Sequence, residues 1–387
     1  CVPASAPEAT TAASDSATLH ERLLTLDTHI DTPLHFERAG WRFAEAHSFA
    51  NDLSHVDLPR MHDGGLDGGF FVVYTGQGPL TTEGYTAAAT HAQRRLVAIE
   101  RTFAANARAI TLVTSAAQAE AAVRSGRHAG FISIENSYPL GESVAALADY
   151  RRRGVLMAGP VHNGGNQFGD SASGGTARWG GLSPLGRQWV AEMNRLGMII
   201  DASHSSDAAL AQMLELSTAP IVLSHSGLDR IFDHPRNISD DQLRALAAKG
   251  GVLQINSVFL SRFNNSAARS PLYDQFDRIG ELSAAEVATL AAQWATLDRT
   301  ERVNEGDFAL FMRALLHCLE VAGADHCGIG ADWDGGGGLR GFEDVTALPQ
   351  ITASLARAGY NEGDIAKIWG GNVLRLLRAA EAARQRN

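Results

Sequence analysis

The sequence predicts an α/β fold, a (β/α)8 barrel of the TIM type. Eight short segments rich in apolar residues recur between residues 23 and 332, and most read as near-continuous apolar runs. Such runs are typical of parallel strands buried on both faces, whereas half-exposed strands alternate apolar with polar residues. Helical patterns separate most of the segments. Eight strands alternating with helices favour a closed barrel over an open doubly wound sheet.

The ends of the predicted helices are marked by serines that can cap them or by terminal glycines. Two longer stretches, residues 76–128 and 259–325, are predicted to contain further helices and to wall the substrate pocket over the C-terminal face of the barrel. The predicted strands span residues 23–31, 69–75, 129–135, 155–163, 198–204, 220–226, 250–258 and 326–332. The predicted helices between them span residues 143–154, 183–197, 205–216 and 239–250.

Composition and charge indicate a large core and a small-molecule substrate. The chain has 387 residues, 45% of them hydrophobic, and no long Pro/Gly/Ser linker divides it, so residues 19–387 are predicted to form a single domain. A net charge of -10 without a basic stripe disfavours nucleic acid and anionic membranes as partners. The longest apolar runs are far shorter than the roughly 20 residues that span a bilayer, so no transmembrane helix is expected.

The N-terminal segment, residues 1–18, is small, polar and aperiodic, and is predicted to be a flexible tail. It opens with Cys1, as a bacterial lipoprotein does after signal cleavage; Cys1 would then carry a lipid anchor, and the protein would belong to the cell envelope or periplasm. Alternatively, Cys1 only marks where the sequence was cut, and the protein is cytoplasmic. The other cysteines, Cys318 and Cys327, could pair or stay reduced.

Candidate chemistry gathers at the C-terminal ends of the predicted strands, which is where barrel enzymes build their active sites. The residues at or just beyond these ends are His29, Asp31, Glu135, His162, His204, His225 and Asp332. The other ten of the 14 histidines, including His20, His47, His91 and His234, are assigned to helices or loops and are expected to be solvated.

Two of these elements suggest a cation. His29 and Asp31 lie on the same face of a strand because side chains alternate with a period of two, so both can reach one ion. Alone the pair is a weak signal, since the histidine could simply be capped by its neighbour. Glu135 ends an apolar strand, where an unpaired carboxylate is costly to bury, so either a cation or an arginine is expected beside it.

His204 and His225 end successive strands one βα unit apart, so their side chains should be neighbours around the barrel. Each alone could be a hydrogen-bonded core histidine. Together with His29, Asp31 and Glu135 they supply five nitrogen and oxygen ligands, enough for two ions and one bridging carboxylate. Imidazole and carboxylate without thiolate suit Zn²⁺, with Mn²⁺, Co²⁺ or Fe²⁺ as competitors.

Asp332 follows the last predicted strand and precedes four glycines that let the backbone approach the site closely. It has no neighbouring base in the sequence and is predicted to act as a general acid and base. The alternative is a turn-forming aspartate, a role that Asp334 with Gly335 would fill better.

Seven longer motifs are more specific than any single residue. They read LDTHIDTP, ISIENSYPLG, PVHNGGNQFGDS, GMIIDASHSS, PIVLSHSGLDRIFDHPRNISDDQLRALAAKGGVLQIN, HCGIGADWDG and WGGNVLRLL. In these motifs the chain resembles the membrane (renal) dipeptidase family, the M19 metallopeptidases of the amidohydrolase-like barrels. The resemblance covers nearly all of the chain, from about Leu23 to Leu377, and suggests a bacterial member.

This resemblance implies two zinc ions per chain. His29 and Asp31 would bind one, His204 and His225 would bind the second, and Glu135 would bridge both.

The resemblance also implies roles in substrate binding and catalysis. His162 would contact the substrate carbonyl, Arg236 would bind the substrate carboxylate, and Asp332 would move protons. The alternative for Arg236 is an ion pair with Asp229 or Asp233 in the same loop.

The implied function is a zinc-dependent dipeptidase that cleaves free dipeptides with a hydroxide bridging the two metals. Asp332 would take the proton of the attacking water and pass it to the leaving amine, and a protonated His162 would stabilise the oxyanion. Asn136 and Trp333 stand where the family often has glycine and phenylalanine, which could alter the pocket. Tolerance of a D-residue at the C-terminal position and a homodimer are left open.

Two other functions fit the same residues. One is a related binuclear amidohydrolase, such as an N-acyl-amino-acid deacylase or a lactonase, although a strand-end lysine for carbamylation is missing. The other is an inactive barrel that only binds peptides or metal, because a fold does not establish an activity.

Overall fold

A computed structural model describes residues 18–386, so the predicted N-terminal tail lies outside the described residues except for Thr18. All of its strand pairs are parallel, and the eight predicted strand segments are all present. The strands are β1 (Leu26–Ile30), β2 (Gly68–Tyr74), β3 (Ile110–Leu112), β4 (His128–Glu135), β5 (Val155–Ala158), β6 (Ile199–Ile200), β7 (Val222–Leu228), β8 (Asn237–Ile238), β9 (Val252–Ile255) and β10 (Cys327–Ile329).

Eight of these strands form a ring. One sheet has the order β1-β2-β4-β5-β6 and the other contains β10-β9-β7. Single parallel bridges, Asp201 to Val222 and Ile30 to Trp333, join the two sheets at both seams. The predicted (β/α)8 barrel is therefore confirmed, and its order around the ring is β1, β2, β4, β5, β6, β7, β9, β10.

The helices are α1 (Phe49–Asp52), α2 (Leu58–Asp63), α3 (Thr82–Ala105), α4 (Ala116–Arg124), α5 (Ala146–Arg152), α6 (Pro184–Leu196), α7 (Asp207–Leu216), α8 (Asp240–Ala248), α9 (Ser270–Phe276), α10 (Ala284–Asp298), α11 (Phe308–Ala322), α12 (Pro349–Arg357), α13 (Glu362–Ala366) and α14 (Asn372–Arg386). The four helices predicted between strands are α5 to α8. Three of them begin at serines whose hydroxyls accept a backbone N–H, namely Ser183, Ser206 and Ser239.

The two long stretches are helical as predicted, with α3 and α4 in the first and α9 to α11 in the second. Leu272, Val287 and Trp294 of the second stretch pack in one cluster with Leu34, which follows β1, and Tyr74, the last residue of β2. Because both contacts lie at the C-terminal ends of strands, this insertion covers the predicted face of the barrel.

The core lies between the barrel and its helices. Phe70 of β2 and Phe131 of β4 stack with 4.7 Å between ring centroids, and Val373 and Leu377 of α14 belong to the same buried cluster. Within residues 18–386, no helix is both long and apolar enough to cross a bilayer.

The expectation that the remaining histidines are solvated is wrong for His35 and His55, which are both buried, and for His20. This side chain is 3% exposed, with Nδ1 2.6 Å from Thr352 Oγ1 and Nε2 3.0 Å from the Gly64 carbonyl oxygen. The sequence around His20 shows no sign of burial, but in the structure the His20 imidazole packs against α12 through its contact with Thr352. His47, His91 and His234 are half-buried.

Cys318 of α11 and Cys327 of β10 form a disulfide, and both residues are fully buried. Of the two states that the sequence left open, the structure contains the paired one. The bond ties the helix that precedes β10 to the strand whose continuation carries Asp332.

Candidate active site

The predicted site residues lie together at the C-terminal rim of the barrel. His29 lies in β1 and Asp31 follows it, Glu135 ends β4, His162 follows β5, His204 follows β6 and Asp332 follows β10. His225 lies within β7, which continues to Leu228 rather than ending at the histidine. The positions therefore agree with the prediction, apart from this longer strand.

Glu135 is at the centre of the site. Its Oε2 lies 3.5 Å from His29 Nε2. Its Oε1 lies 2.9 Å from His204 Nε2, 3.3 Å from His225 Nε2 and 3.8 Å from His162 Nε2. The two oxygens of one buried carboxylate thus face two different sets of nitrogen atoms, as the oxygens of a bridging carboxylate would.

On the Oε2 side lie His29, Asp31 and Asp332, which we call the acidic half. His29 Nε2 is 3.2 Å from Asp31 Oδ2 and 4.0 Å from Asp332 Oδ1. A Cβ atom at Gly335 would fall 2.1 Å from Asp332 Oδ1 and 2.3 Å from Asp31 Oδ2. The close approach of backbone that the glycines predicted is therefore required at Gly335, because any side chain would collide with both carboxylates.

On the Oε1 side lie His162, His204 and His225, which we call the imidazole half. The Nδ1 atom of His204 lies 3.1 Å from Asn163 Oδ1, and that of His225 lies 2.8 Å from Ser224 Oγ. Because an amide oxygen can only accept, His204 Nδ1 carries the hydrogen and its Nε2 keeps a lone pair. Such outer partners are typical of metal-ligating histidines.

The donor set fits a cation. His204 Nε2 and His225 Nε2 face each other at 2.9 Å, beside the carboxylate oxygen of Glu135. Among the described residues, both ring nitrogens of His29 and Oδ1 of Asp31 are buried without a hydrogen-bond partner. Buried lone pairs that converge on one another are costly unless a cation or a proton lies between them. These residues could hold divalent metal.

Three overlapping groups in residues 18–386 bring ligand atoms within 4.8 Å of one another. They are His29, Glu135 and His225; Glu135, His162 and His204; and His29, Asp31 and Asp332. Glu135 belongs to two of them. His225 lies between the halves, because its ring centroid is 3.7 Å from that of His29.

The pKa values of the acidic half are raised. Burial, reinforced by the charges of Asp31 and Glu135, raises the pKa of Asp332 to about 8. Burial would lower the pKa of His29, but Glu135 and Asp31 raise it well above its usual value. Burial also raises the pKa of Asp31. A carboxyl with a pKa close to neutral can both take up and release a proton, as an acid/base residue must.

The pKa values of the imidazole half are lowered. Burial lowers the pKa of His162 to about 4 and that of His225 to about 3, and it lowers the pKa of His204 well below the usual value. The nearby Arg236 guanidinium adds to all three effects. This lowered pKa favours a neutral His162, in contrast to the expected protonated form. A neutral imidazole still carries one N–H that can donate to an oxygen.

Arg236 precedes β8 and lies beside the imidazole half. It is 3% exposed, and its guanidinium donates to Ser226 Oγ at 3.2 Å and to the His225 carbonyl at 3.1 Å. Its Nε is buried without a partner among the described residues, and no ion pair forms with Asp229 or Asp233. A buried guanidinium with a free N–H suits an anionic ligand.

Sequence reasoning missed several residues that support the site. Asn163 orients His204, and Tyr74 packs edge-on against His162 with 4.9 Å between ring centroids. Ser224 Oγ donates to Asp201 Oδ2 at 2.5 Å while contacting His225. Tyr74 could have been found, because it occupies a strand end like the predicted residues. The contact of Asn163 depends on the path of the loop after β5, and that of Asp201 depends on which strand pairs with β6, and neither is predicted by periodicity.

Backbone conformation also marks the site. In the described part of the chain, five residues other than glycine have positive φ, and four are at the rim: Asn136, His204, Asp332 and Asp334. Asn, Asp and His tolerate this left-handed region better than other side chains. Strain of this kind tends to collect at functional sites.

A model of the membrane dipeptidases, peptidase family M19, matches residues 14–387. The chain belongs to this family. It is therefore a peptidase, a hydrolase of peptide bonds, of the dipeptidase type. Dipeptidase tcpJ of Claviceps purpurea is 29% identical over 364 residues, which cover 92% of this chain and 76% of that protein. Dipeptidase aclJ of Aspergillus oryzae is 32% identical over 257 residues, 66% of this chain and 52% of that protein.

Solved structures of dipeptidases share the fold. The probable dipeptidase PvdM from Pseudomonas aeruginosa superposes with a TM-score of 0.83 at 27% identity, covering 97% of this chain and 100% of that chain. The dipeptidase AC, a metallopeptidase of family M19, superposes with a TM-score of 0.74 at 25% identity, covering 92% and 98%. The metallopeptidase class of this family agrees with the ligand groups at the rim.

Proposed function

We propose that this member of the membrane dipeptidase family is a zinc enzyme with two metals per chain. His29 and Asp31 would hold one ion, His204 and His225 the other, and Glu135 both. The observation that carries the proposal is the 2.9 Å approach of two buried imidazole nitrogens beside one carboxylate oxygen. The nitrogen and oxygen donors suit Zn²⁺.

Bound metal would supply Lewis acidity to the scissile carbonyl and make water acidic enough to attack it near neutral pH. Asp332 would accept the proton of that water and donate it to the leaving amine, for which the pKa of about 8 is suitable. His162 would donate its N–H to the carbonyl oxygen as a neutral imidazole.

The substrate class follows from Arg236 and from the names of the relatives, which are dipeptidases. The free N–H of its buried guanidinium would bind the α-carboxylate of a dipeptide, one residue beyond the scissile bond. Longer peptides would place an amide there, which lacks the charge.

The decisive experiment removes and restores the metal. Purified protein is dialysed against a chelator, reloaded with Zn²⁺, and assayed on a panel of dipeptides beside N-acetyl amino acids and lactones, with metal content measured by elemental analysis. We expect two zinc ions per chain and cleavage of dipeptides that is lost and regained with them. Full activity without bound metal would disprove the metal proposal. Faster turnover of acyl amino acids or lactones would favour a related amidohydrolase.

We also propose that the chain works in an oxidising compartment, such as a bacterial periplasm. The buried Cys318–Cys327 disulfide supports this, because such bonds are rare where thiols are kept reduced. Thiol titration of protein purified from its natural source and then denatured should detect neither Cys318 nor Cys327 before reduction. The intact mass of the same protein would reveal an acyl chain at Cys1.

A further inference from the structure

Asp334 is a buried carboxylate that the proposed mechanism does not use. It is 0% exposed and lies two residues beyond Asp332, where the sequence suggested an ordinary turn. In the described chain it has no arginine or lysine partner. A fully buried carboxylate must instead be stabilised by hydrogen bonds, and the partners in these bonds show which segments Asp334 connects.

Its hydrogen bonds come from the two segments that follow β1. Thr32 Oγ1 donates to Asp334 Oδ2 at 2.5 Å, and the backbone N–H of His55 donates to Oδ1 at 2.6 Å. The ring of His55 also contacts this residue: its Nδ1 accepts the Asp334 backbone N–H at 3.1 Å and lies 2.9 Å from Oδ1. Burial would raise the pKa of Asp334, but His55 and Thr32 hold it below its usual value.

The two residues of the Asp334–Thr32 hydrogen bond both lie close in sequence to residues of the acidic half. Thr32 directly follows Asp31, and the Asp31 backbone N–H donates to the Trp333 carbonyl at 2.7 Å. Asp332 and Asp334 both have left-handed φ angles, 66° and 64°. The loop that carries Asp332 therefore has a strained backbone, and the Asp334–Thr32 hydrogen bond links it to the residue that follows Asp31.

We propose that Asp334, through Thr32 and His55, is a positioning residue that fixes the separation of the Asp31 and Asp332 carboxylates. The proposal rests on the function proposed above, in which these carboxylates hold metal and move protons. It assigns Asp334 no contact with substrate. Its effect should appear in the chemical step, because a displacement of about 1 Å in a catalytic group can cost roughly 10²-fold in rate.

The test uses Thr32→Val, which keeps the shape of the side chain but removes its hydroxyl, and Thr32→Ser, which restores the hydroxyl. We expect Thr32→Val to lower kcat by roughly 10-fold to 100-fold on metal-saturated enzyme, with KM within about twofold of the parent. Thr32→Ser should recover most of the loss. Asp334→Asn should lower kcat similarly, and the double variant should be little worse than either single one.

Thr25→Val is the matched control. Thr25 is an equally buried threonine at the opposite end of β1, and its hydroxyl donates to the Gly65 carbonyl at 2.5 Å. The Thr25→Val variant should lose thermal stability but keep the parental kcat. A fall of kcat in Thr32→Val alone would then be a positioning effect and not a general loss of packing. Metal content is measured for every variant.

Several results would overturn the inference. Thr32→Val with parental kcat at metal saturation would do so, as would an equal fall of kcat in Thr25→Val. Failure of the parent protein to cleave dipeptides when metal-loaded would instead count against the proposed function. A parent that is active together with a fully active Thr32→Val would leave that function intact and remove only the role of Asp334.

Discussion

Histidines lie at both ends of the barrel, and they are used differently. At the N-terminal end, Nδ1 of His128, at the start of β4, lies 2.8 Å from the Leu66 carbonyl oxygen, and Nδ1 of His326, before β10, lies 2.8 Å from that of Gly251. Each imidazole there is paired with a backbone acceptor. At the C-terminal end, His204 and His225 turn their Nε2 atoms toward each other and toward Glu135.

The difference shows that the residue type alone does not identify a ligand. A histidine whose ring nitrogen is paired with a carbonyl stabilises the fold, whereas a histidine whose lone pair faces other nitrogen and oxygen donors is suited to bind a cation. Substitutions at the two ends should therefore separate activity from stability, and the following experiments test that separation.

The largest effect is expected for Asp332→Asn, which keeps the shape of the side chain but cannot accept a proton. Turnover should fall by roughly 10²-fold or more, the usual scale for a general acid/base. Metal content, measured by elemental analysis, should stay close to the parental value. Undiminished turnover would mean that the catalytic base lies elsewhere.

A somewhat smaller effect is expected for the carboxylate contact. Arg236→Met, or amidation of a good dipeptide, should raise the barrier expressed in kcat/KM by roughly 2–4 kcal/mol. Making both changes should cost little more than one, because both remove the same interaction. Steady-state kinetics of the parent and Arg236→Met on free and amidated dipeptides give the four kcat/KM values that this comparison needs. Additive losses would show that Arg236 does not bind the carboxylate.

At the opposite end, Asp67 should make stability depend on pH without affecting catalysis. Burial raises the pKa of this carboxyl, which accepts the Thr25 N–H, from 3.8 to about 6. Between these values the folded protein holds more protons than the unfolded chain, so the free energy of unfolding falls as pH rises from about 4 to 6 and is constant above. The change is on the order of 1–3 kcal/mol. Denaturant titrations should show a flatter profile for Asp67→Asn; an unchanged slope would assign the pH dependence to other groups.

The smallest effect is expected for His128→Ala. Loss of the hydrogen bond to Leu66 should lower the free energy of unfolding by about 1–2 kcal/mol. The kcat of the folded, metal-loaded enzyme should be unchanged. A large fall in turnover would contradict the proposed division between the two ends.

Much of this was predictable from the sequence. Near-continuous apolar runs predicted all eight barrel strands, and the order of strands and helices predicted their closure. β3 was missed because it lies in a stretch predicted to be helical, and β8 because no apolar run surrounds its two residues, unlike the equally short β6. Their existence depends on pairing with β4 and β7, which is a tertiary contact.

The sequence predicted which residues form the site better than it predicted their protonation states. Strand ends placed the candidate ligands at one rim, since parallel strands deliver their C-terminal ends there. The neutral state of His162 was not predicted, because it depends on burial and on the approach of Arg236 from another loop. Asp334 lies in a turn, as the sequence predicted, but its hydrogen bond with Thr32 was not predicted, because the two residues are 302 positions apart in the sequence.

The absence of room for a side chain at Gly335 has a consequence for how this enzyme could be diversified. A mutation there would displace both carboxylates of the acidic half, so the loop after β10 offers little freedom for selecting new specificities. The insertion that contains α9 and α10 packs on Tyr74 without supplying any of the proposed ligands. Libraries intended to change which dipeptides are accepted should therefore randomise this insertion and leave the glycine run untouched.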